Sequence, residues 1–314
     1  MEIISGVKNI NKDRFPCSIV SVGNFDGCHI GHQEIFRRLR FHALNSGCIS
    51  CVITFDPHPD TVVFKDHHVD LIFNMEERIK AIESMGIDFL VIERFTREFA
   101  NMTPDEFVEE ILLGRVRARG MVVGYDFCFG RAGAGDIDFL RAISHTHGYF
   151  VDVVDAIERK NILVSSSIIR DKIRSGEVKL ASELMLYPYR MPGKVIHGKS
   201  RGRDIGFPTA NINPSKTLIP SDGVYAAFTY VDGVRMQSVV NIGTNPTFGD
   251  LDLSVEVFIF NMNRDIYGKD IIVEFIERLR QEIRFRDKLE LRHQIEKDCA
   301  RAKEILDRVD KTLP

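Results

Sequence analysis

Apolar residues follow two different rhythms along this 314-residue chain. In the first 186 or so positions, short apolar runs alternate with stretches in which apolar side chains return every three or four residues. The runs Ser18–Phe25, Cys51–Phe55, Asp88–Phe95, Gly120–Asp126 and Tyr149–Ala156 predict strands. Between them His32–Leu44, Met75–Met85 and Pro104–Leu113 have helical spacing. This alternation predicts a Rossmann-like α/β domain, a parallel sheet with helices on both faces. A ligand then belongs beyond the C-terminal ends of the strands.

Past about Pro188 the rhythm changes. Short strand patterns (Lys194–Gly198, Val224–Val231, Met236–Gly243, Ser254–Phe260, Ile271–Leu279) are separated by turn clusters such as PSDG, DGV and NPTFGD. An antiparallel β-barrel is expected. Asp287–Asp310 reads as one amphipathic terminal helix, with Leu289, Ile295, Cys299, Ala302, Leu306 and Val309 available for its apolar stripe. The expected domains are 1–186 and 187–314, consistent with a chain longer than one ordinary core holds. No internal repeat is visible.

With 44% hydrophobic and 28% charged residues, the composition is that of a soluble globular protein. A formal charge of −3 gives no global reason to expect nucleic acid or a membrane surface as partner, so small molecules are expected. The N-terminus lacks a signal-peptide pattern and no apolar run is long enough to span a bilayer, so the expected location is cytoplasmic. Six cysteines lie at 17, 28, 48, 51, 128 and 299 without a disulfide-scaffold spacing, and all are expected as free thiols. Cys48 and Cys51 form a C-x-x-C, but within a strand pattern and without a second pair, so packing is expected there rather than zinc or redox chemistry.

After the first strand comes Gly23-Asn-Phe-Asp-Gly-Cys-His29-Ile-Gly-His32, with a helix expected to start near Gly31. A strand, a glycine turn and a helix N-terminus together attract phosphate, because backbone amides point at the ligand and glycines let it come close. His29 and His32, three apart, can face one ligand and donate hydrogen bonds to triphosphate oxygens as charge develops at the α-phosphorus. The plain alternative is a capped helix with two surface histidines. Pro57, His58 and Pro59 can simply end a strand. Asp126, after the fourth strand, is either a ligand contact or a turn aspartate. Ser165–Ser167 can cap a helix, yet with Arg170 one turn on they also offer hydroxyls, amides and a guanidinium to phosphates.

In the second half, Gly193–Ile212 combines glycines with Lys199, Arg201 and Arg203 but lacks the ending of a Walker A loop. No RNA-binding signature accompanies that basic segment. Thr209 and Asn211 are two apart in an expected strand, so their oxygens share a face and can hold magnesium, which needs few protein ligands. A polar outer face is the alternative. Glu256 interrupts the apolar run Ser254–Phe260. Pointing into the barrel beside a substrate, it can accept the proton of a hydroxyl attacking a γ-phosphate; otherwise it is an ordinary outward residue.

The run G-N-F-D-G-C-H-I-G-H resembles the H-x-G-H signature of nucleotidylyltransferases in the form used by bacterial FAD synthetases. Thr54–Pro59, Gly124–Gly130 and Ser165–Arg170 continue that likeness in order. Residues from about 190 to 298 resemble a riboflavin kinase domain, through G-x-V-x-H-G…G-R…G-F-P-T-A-N, G-V-Y-A, N-I-G-T-N-P-T-F-G and D-I-Y-G-K-D…L-R-Q-E. The whole chain therefore resembles the bacterial bifunctional riboflavin kinase/FAD synthetase family. The resemblance implies phosphorylation of riboflavin to FMN, adenylylation of FMN to FAD, ATP as co-substrate and Mg2+ as cofactor. It places nucleotide or flavin contacts at Gly23, Phe25, Asp26, Gly27, Asp126, Ser166, Ser167 and Arg170, with His29 and His32 catalytic. In the second domain it implies Glu256 as the base, Thr209 and Asn211 as metal ligands, and ligand contacts at Gly193, His197, Gly198, Arg203, Gly206, Pro208 and Asn241. The chain departs from the family pattern at Cys128 (usually arginine), Ser167 (usually threonine), Phe258 (usually histidine) and Asn261 (usually aspartate). A single-activity enzyme or a non-catalytic flavin-binding protein is the alternative reading.

Overall fold

A computed structural model describes residues 1–11, 16–64, 68–197, 206–244 and 253–312. The chain forms two compact units, residues 1–69 with 73–166, and residues 70–72 with 167–314.

The first unit is built on six parallel strands, β1 (Glu2–Ser5), β2 (Ser18–Val22), β3 (Ile49–Asp56), β4 (Phe89–Arg94), β5 (Ala118–Gly124) and β6 (Phe150–Val154), in the order β1-β4-β3-β2-β5-β6. Every residue of β2 is buried, as expected for a parallel strand covered on both faces. The helices are α1 (Ile30–Ser46), α2 (Pro59–Val63), α3 (Met75–Ser84), α4 (Arg97–Ala100), α5 (Pro104–Glu106) and α6 (Ile137–His147). The expected helix over 104–113 is present, with Phe107–Leu113 wound as a π-helix after α5. Local chemistry fixes the helix ends. Asn74 and Glu77 form a reciprocal capping box at α3, and Gly47 ends α1 in the left-handed region at φ 63°.

The strand order positions the site. Chain order reverses at β2, which lies between β3 and β5, so the turn leaving β2 opens into the crevice where ligands of such sheets bind. The Asp56–Asp60 loop leaves β3 beside it, and the Gly124–Gly130 turn leaves β5 on the other side.

One expectation is corrected at the opposite end of these strands. Cys17 and Cys48 are disulfide-bonded, with Cα atoms 5.0 Å apart, whereas Cys28, Cys51, Cys128 and Cys299 are thiols outside any disulfide. The parallel pairing of Ser18 with Ile49 brings the two preceding cysteines together across 31 residues, a neighbourhood that spacing along the chain does not reveal.

A short hairpin, β7 (Glu158–Arg159) and β8 (Ile162–Leu163), precedes α7 (Ser166–Arg174) and α8 (Val178–Met185). The second unit holds a closed antiparallel barrel of β9 (Tyr189–Ile196), β10 (Ala210–Pro214), β11 (Gly223–Val231), β12 (Val234–Thr244), β13 (Leu253–Ile259) and β14 (Asp270–Arg280), in the order β10-β13-β12-β11-β14-β9. α8 joins this barrel rather than the sheet, through Lys179 paired with Glu277 at 2.6 Å.

The terminal helix α9 (Lys288–Thr312) packs on the outside of the barrel. Its Cys299, Ala302 and Leu306 bury against Val224, Phe228 and Val239, with Ile295 and Val309 partly covered. Leu289, expected in that stripe, is instead 64% exposed, because the helix's first turn lies beyond the apolar cluster.

Candidate active sites

The turn after β2 is wound tightly. Phe25, Gly27 and Cys28 all have positive φ (50°, 75° and 37°). Only glycine adopts this conformation without a Cβ penalty, so Phe25 and Cys28 are held there by their surroundings. Phe25 is buried, its ring edge-on to His32 at 5.3 Å and tilted on Phe36 at 4.9 Å. A Cβ on Gly23 would come within 3.0 Å of that ring. Phe25 and Gly23 thus shape the floor of the turn.

Asp26 is 1% exposed and accepts the Phe73 N–H at 2.9 Å, and its carbonyl accepts the Ser166 hydroxyl at 2.9 Å. Ser166 is the first residue of α7. Ser167 and Arg170 lie further along the same helix, in the second unit. Asp126 is exposed at the exit of β5.

His29 is the N-cap of α1 and His32 lies in its first turn, where backbone N–H groups lack intrahelical acceptors. Their rings stack with centroids 3.7 Å apart. At that separation two imidazolium charges would repel strongly. His32 Nδ1 is enclosed and has no hydrogen-bond partner among the described residues. Burial, then His29, then Arg78 hold the His32 imidazole well below its ordinary 6.5, so it is neutral at neutral pH. Cys28, between the motif's glycine and histidine, is no nucleophile, since burial pushes its thiol up to about 12.

The His32 shift makes a stability prediction. Below pH 6.5 the unfolded chain binds a proton at this ring that the folded chain refuses, so the contribution is present above 6.5 and is lost as pH falls below it. The melting temperature is expected to drop between about pH 7 and about pH 5, and His32→Gln to drop less over the same range. Parallel pH curves for the two proteins would remove His32 from this role.

In the barrel, register assembles the second cluster. Glu256 on β13 lies directly opposite Asn211 of β10 on one side and Asn241 of β12 on the other. Thr209, just before β10, donates its hydroxyl to Glu256 Oε2 at 3.1 Å, and Ser254 donates to Oε1 at 3.4 Å. Glu256 does not point into the barrel. Val255, Val257 and Ile259 fill the interior, and Glu256 shares the outer face with Phe258, whose ring is edge-on to Phe207 at 5.3 Å. Val255, Val257 and Ile259 are each at most 5% exposed, so Glu256 belongs to the outer wall of the barrel.

A carboxylate not anticipated from sequence joins this cluster. The amide of Asn241 hydrogen-bonds Glu282, and a Cβ on Gly243 would fall 1.8 Å from Glu282 Oε1. Glycine at 243 therefore makes room for the second carboxyl beside Glu256. Burial first, then Asp222 and Glu256, push the Glu282 carboxyl above its ordinary range, with the Asn241 bond opposing them.

The other expected contacts lie on β9 and in the segment before β10. Gly193 sits in β9, where a Cβ would be 2.4 Å from Ile212, so barrel packing alone requires glycine there. It also borders an open groove of about 620 Å³ with Lys194, Asn213, Tyr230 and Asp270. His197 stacks on Tyr267 with centroids 4.0 Å apart. Gly206 takes φ 87° just before Phe207 and Pro208. Gly198 and Arg203, with Lys199 and Arg201, lie outside the described residues.

A parallel sheet with paired histidines at its switch point, followed by a closed barrel with a carboxylate set between two asparagines, defines a two-site phosphate-transfer enzyme. The FAD synthetase family profile matches residues 12–168 and the riboflavin kinase profile residues 185–306. Among curated relatives, the bifunctional riboflavin kinase/FMN adenylyltransferase of Bacillus subtilis is 36% identical, over 90% of each chain. The Haemophilus influenzae protein of the same name is 34% identical over 96% of this chain and 98% of its own. This chain belongs to the bifunctional riboflavin kinase/FMN adenylyltransferase family. A solved structure of a macrolide-efflux protein from Streptococcus pneumoniae has the same fold, with 31% identity and a TM-score of 0.86 over 96% of this chain and 99% of that one. In the present chain no helix among the described residues is long and apolar enough to cross a membrane.

Proposed function

We infer that this chain carries out both reactions of its family, with separate residues for each. In the barrel, Glu256 accepts the proton of a riboflavin ribityl hydroxyl as that oxygen attacks the γ-phosphate of ATP, giving FMN and ADP. The observation that carries this assignment is the convergence of Thr209, Asn211 and Asn241 on Glu256 across three adjacent strands. Thr209 and Asn211 offer a hydroxyl and an amide oxygen, a hard donor set that fits Mg2+. The ion, when bound, offsets charge on the phosphates. Thr209 also orients Glu256 through its hydroxyl.

At the sheet, His29 and His32 donate hydrogen bonds to triphosphate oxygens while an oxygen of the FMN phosphate attacks the α-phosphorus, giving FAD and pyrophosphate. The turn amides and the start of α1 receive the phosphates. Asp126 and Ser166 in the first unit, and Ser167 and Arg170 on α7, are nucleotide or flavin contacts by the family likeness, which also assigns ATP contacts to Gly193, His197, Gly206 and Pro208 and, outside the described residues, to Gly198 and Arg203. The protein acts in the cytoplasm, with riboflavin, FMN and ATP as its small-molecule partners.

A chromatographic time course of purified protein with riboflavin and magnesium ATP tests this reading. FMN is expected first and FAD after it. FMN alone would mean that Cys128, in place of the family's usual arginine, has cost the second reaction. Flavin binding without any product would mean a binding protein.

A further inference from the structure

Arg78 is the largest of the fully buried side chains, 2% exposed, on the same face of α3 as buried Ile82. A guanidinium taken out of water is unfavourable unless its donors are used, and an apolar side chain of similar volume would meet the packing need alone. One of its terminal nitrogens reaches the start of the loop that leaves β3. Arg78 Nη1 donates to Thr54 Oγ1 at 3.3 Å and to the Phe55 carbonyl at 3.1 Å. Thr54, itself wholly buried, donates its hydroxyl hydrogen bond to the Asn24 carbonyl at 3.1 Å, inside the phosphate turn. The Asn24 side chain meets His58 Nε2 at 3.1 Å, and His58 Nδ1 accepts the Asp60 N–H at 3.3 Å, in the loop leaving β3. One cation thus ties together the two loops that the sheet places side by side.

We propose that Arg78 is a positioning residue for adenylyl transfer, holding the Gly23–His29 turn and the Asp56–Asp60 loop in one register through Thr54 and the Phe55 carbonyl. Its positive charge also reaches the buried ring of His32 and the thiol of Cys28 at the foot of the turn. The proposal rests on the adenylyl-transfer reading of the histidine pair, and the His29→Ala variant serves as its reference. If His29→Ala leaves FAD formation intact, that reading fails; if only the Arg78 variants are silent, this proposal fails alone.

The experiment compares Arg78→Met, Arg78→Lys, Thr54→Val and the Thr54→Val/Arg78→Met double variant in the full-length protein. FMN-to-FAD kinetics are measured per folded molecule, with riboflavin phosphorylation by the same preparations as internal reference. Arg78→Met is expected to lower kcat for FAD formation about tenfold with KM for ATP and FMN nearly unchanged, the pattern of misplaced rather than missing contacts. Arg78→Lys, which keeps the charge and one donor, should recover part of the loss. Thr54→Val should act in the same direction, and the double variant should be no slower than Arg78→Met, since both break one chain of bonds. Multiplied losses in the double variant, raised KM at constant kcat, or unchanged kcat per folded molecule would each overturn the proposal. If Arg78→Met does not fold, unchanged kcat in both Arg78→Lys and Thr54→Val would overturn it equally.

Discussion

Glu256→Gln is expected to slow FMN formation from riboflavin by about a thousandfold, within the usual range for losing a general base, while FMN supplied directly is still converted to FAD. Glutamine keeps the size of the side chain and can still accept the Thr209 hydroxyl bond, so the barrel wall should stay intact. What it cannot do is take a proton from the attacking hydroxyl. The change is confined to β13, whose Val255, Val257 and Ile259 face the barrel interior and carry its packing. Following riboflavin consumption and FAD production separately checks the claim. Normal riboflavin phosphorylation would remove Glu256 from the base role, and the neighbouring Glu282 would then be examined for it.

His29→Ala or His32→Ala is expected to do the reverse, lowering FAD formation by about a hundredfold or more, the cost of removing one preorganised donor from a developing charge. FMN should then accumulate. Because the rings stack at 3.7 Å and form one constellation, the double variant should be little worse than either single one. Equal loss of both activities in a single variant would contradict the separation of the sites. Phe25 complicates His32→Ala, since its ring packs edge-on to His32 and could shift into the space. His29→Ala is the cleaner measurement.

Some residues were legible without a structure because their signal is local. The glycine turn, the two histidines and the strand before them occupy adjacent positions, so their joint geometry follows from short-range backbone chemistry. Arg78 left only a faint trace. It stands four residues before Ile82 on a helix, which places a charge on an apolar face, but the sequence does not say what that face meets. Glu282 left a trace as the last residue of L-R-Q-E, but its place beside Glu256 comes from Asn241 on β12, far away in the chain.

Glu256 illustrates the limit differently. Its strand alternates, yet both faces carry apolar residues, Val255, Val257 and Ile259 on one, Phe258 and Phe260 on the other. Period alone cannot say which face is inside. α9 decides it, by covering Phe260 and Phe258 from outside the barrel.

The sequence by itself determined most of the sheet strands and long helices, the change from a helix-covered parallel sheet to a barrel, and the glycine turn before α1, because side-chain period and turn chemistry act over a few residues, whereas the edge strand β1 and α6 went unread. Only the tertiary structure decided the strand order that sets the β2, β3 and β5 loops side by side, the Asn211-Glu256-Asn241 register, the Cys17–Cys48 bond and the reach of Arg78. Those depend on pairings between segments far apart in the chain, which are selected by how all the buried faces fit together at once.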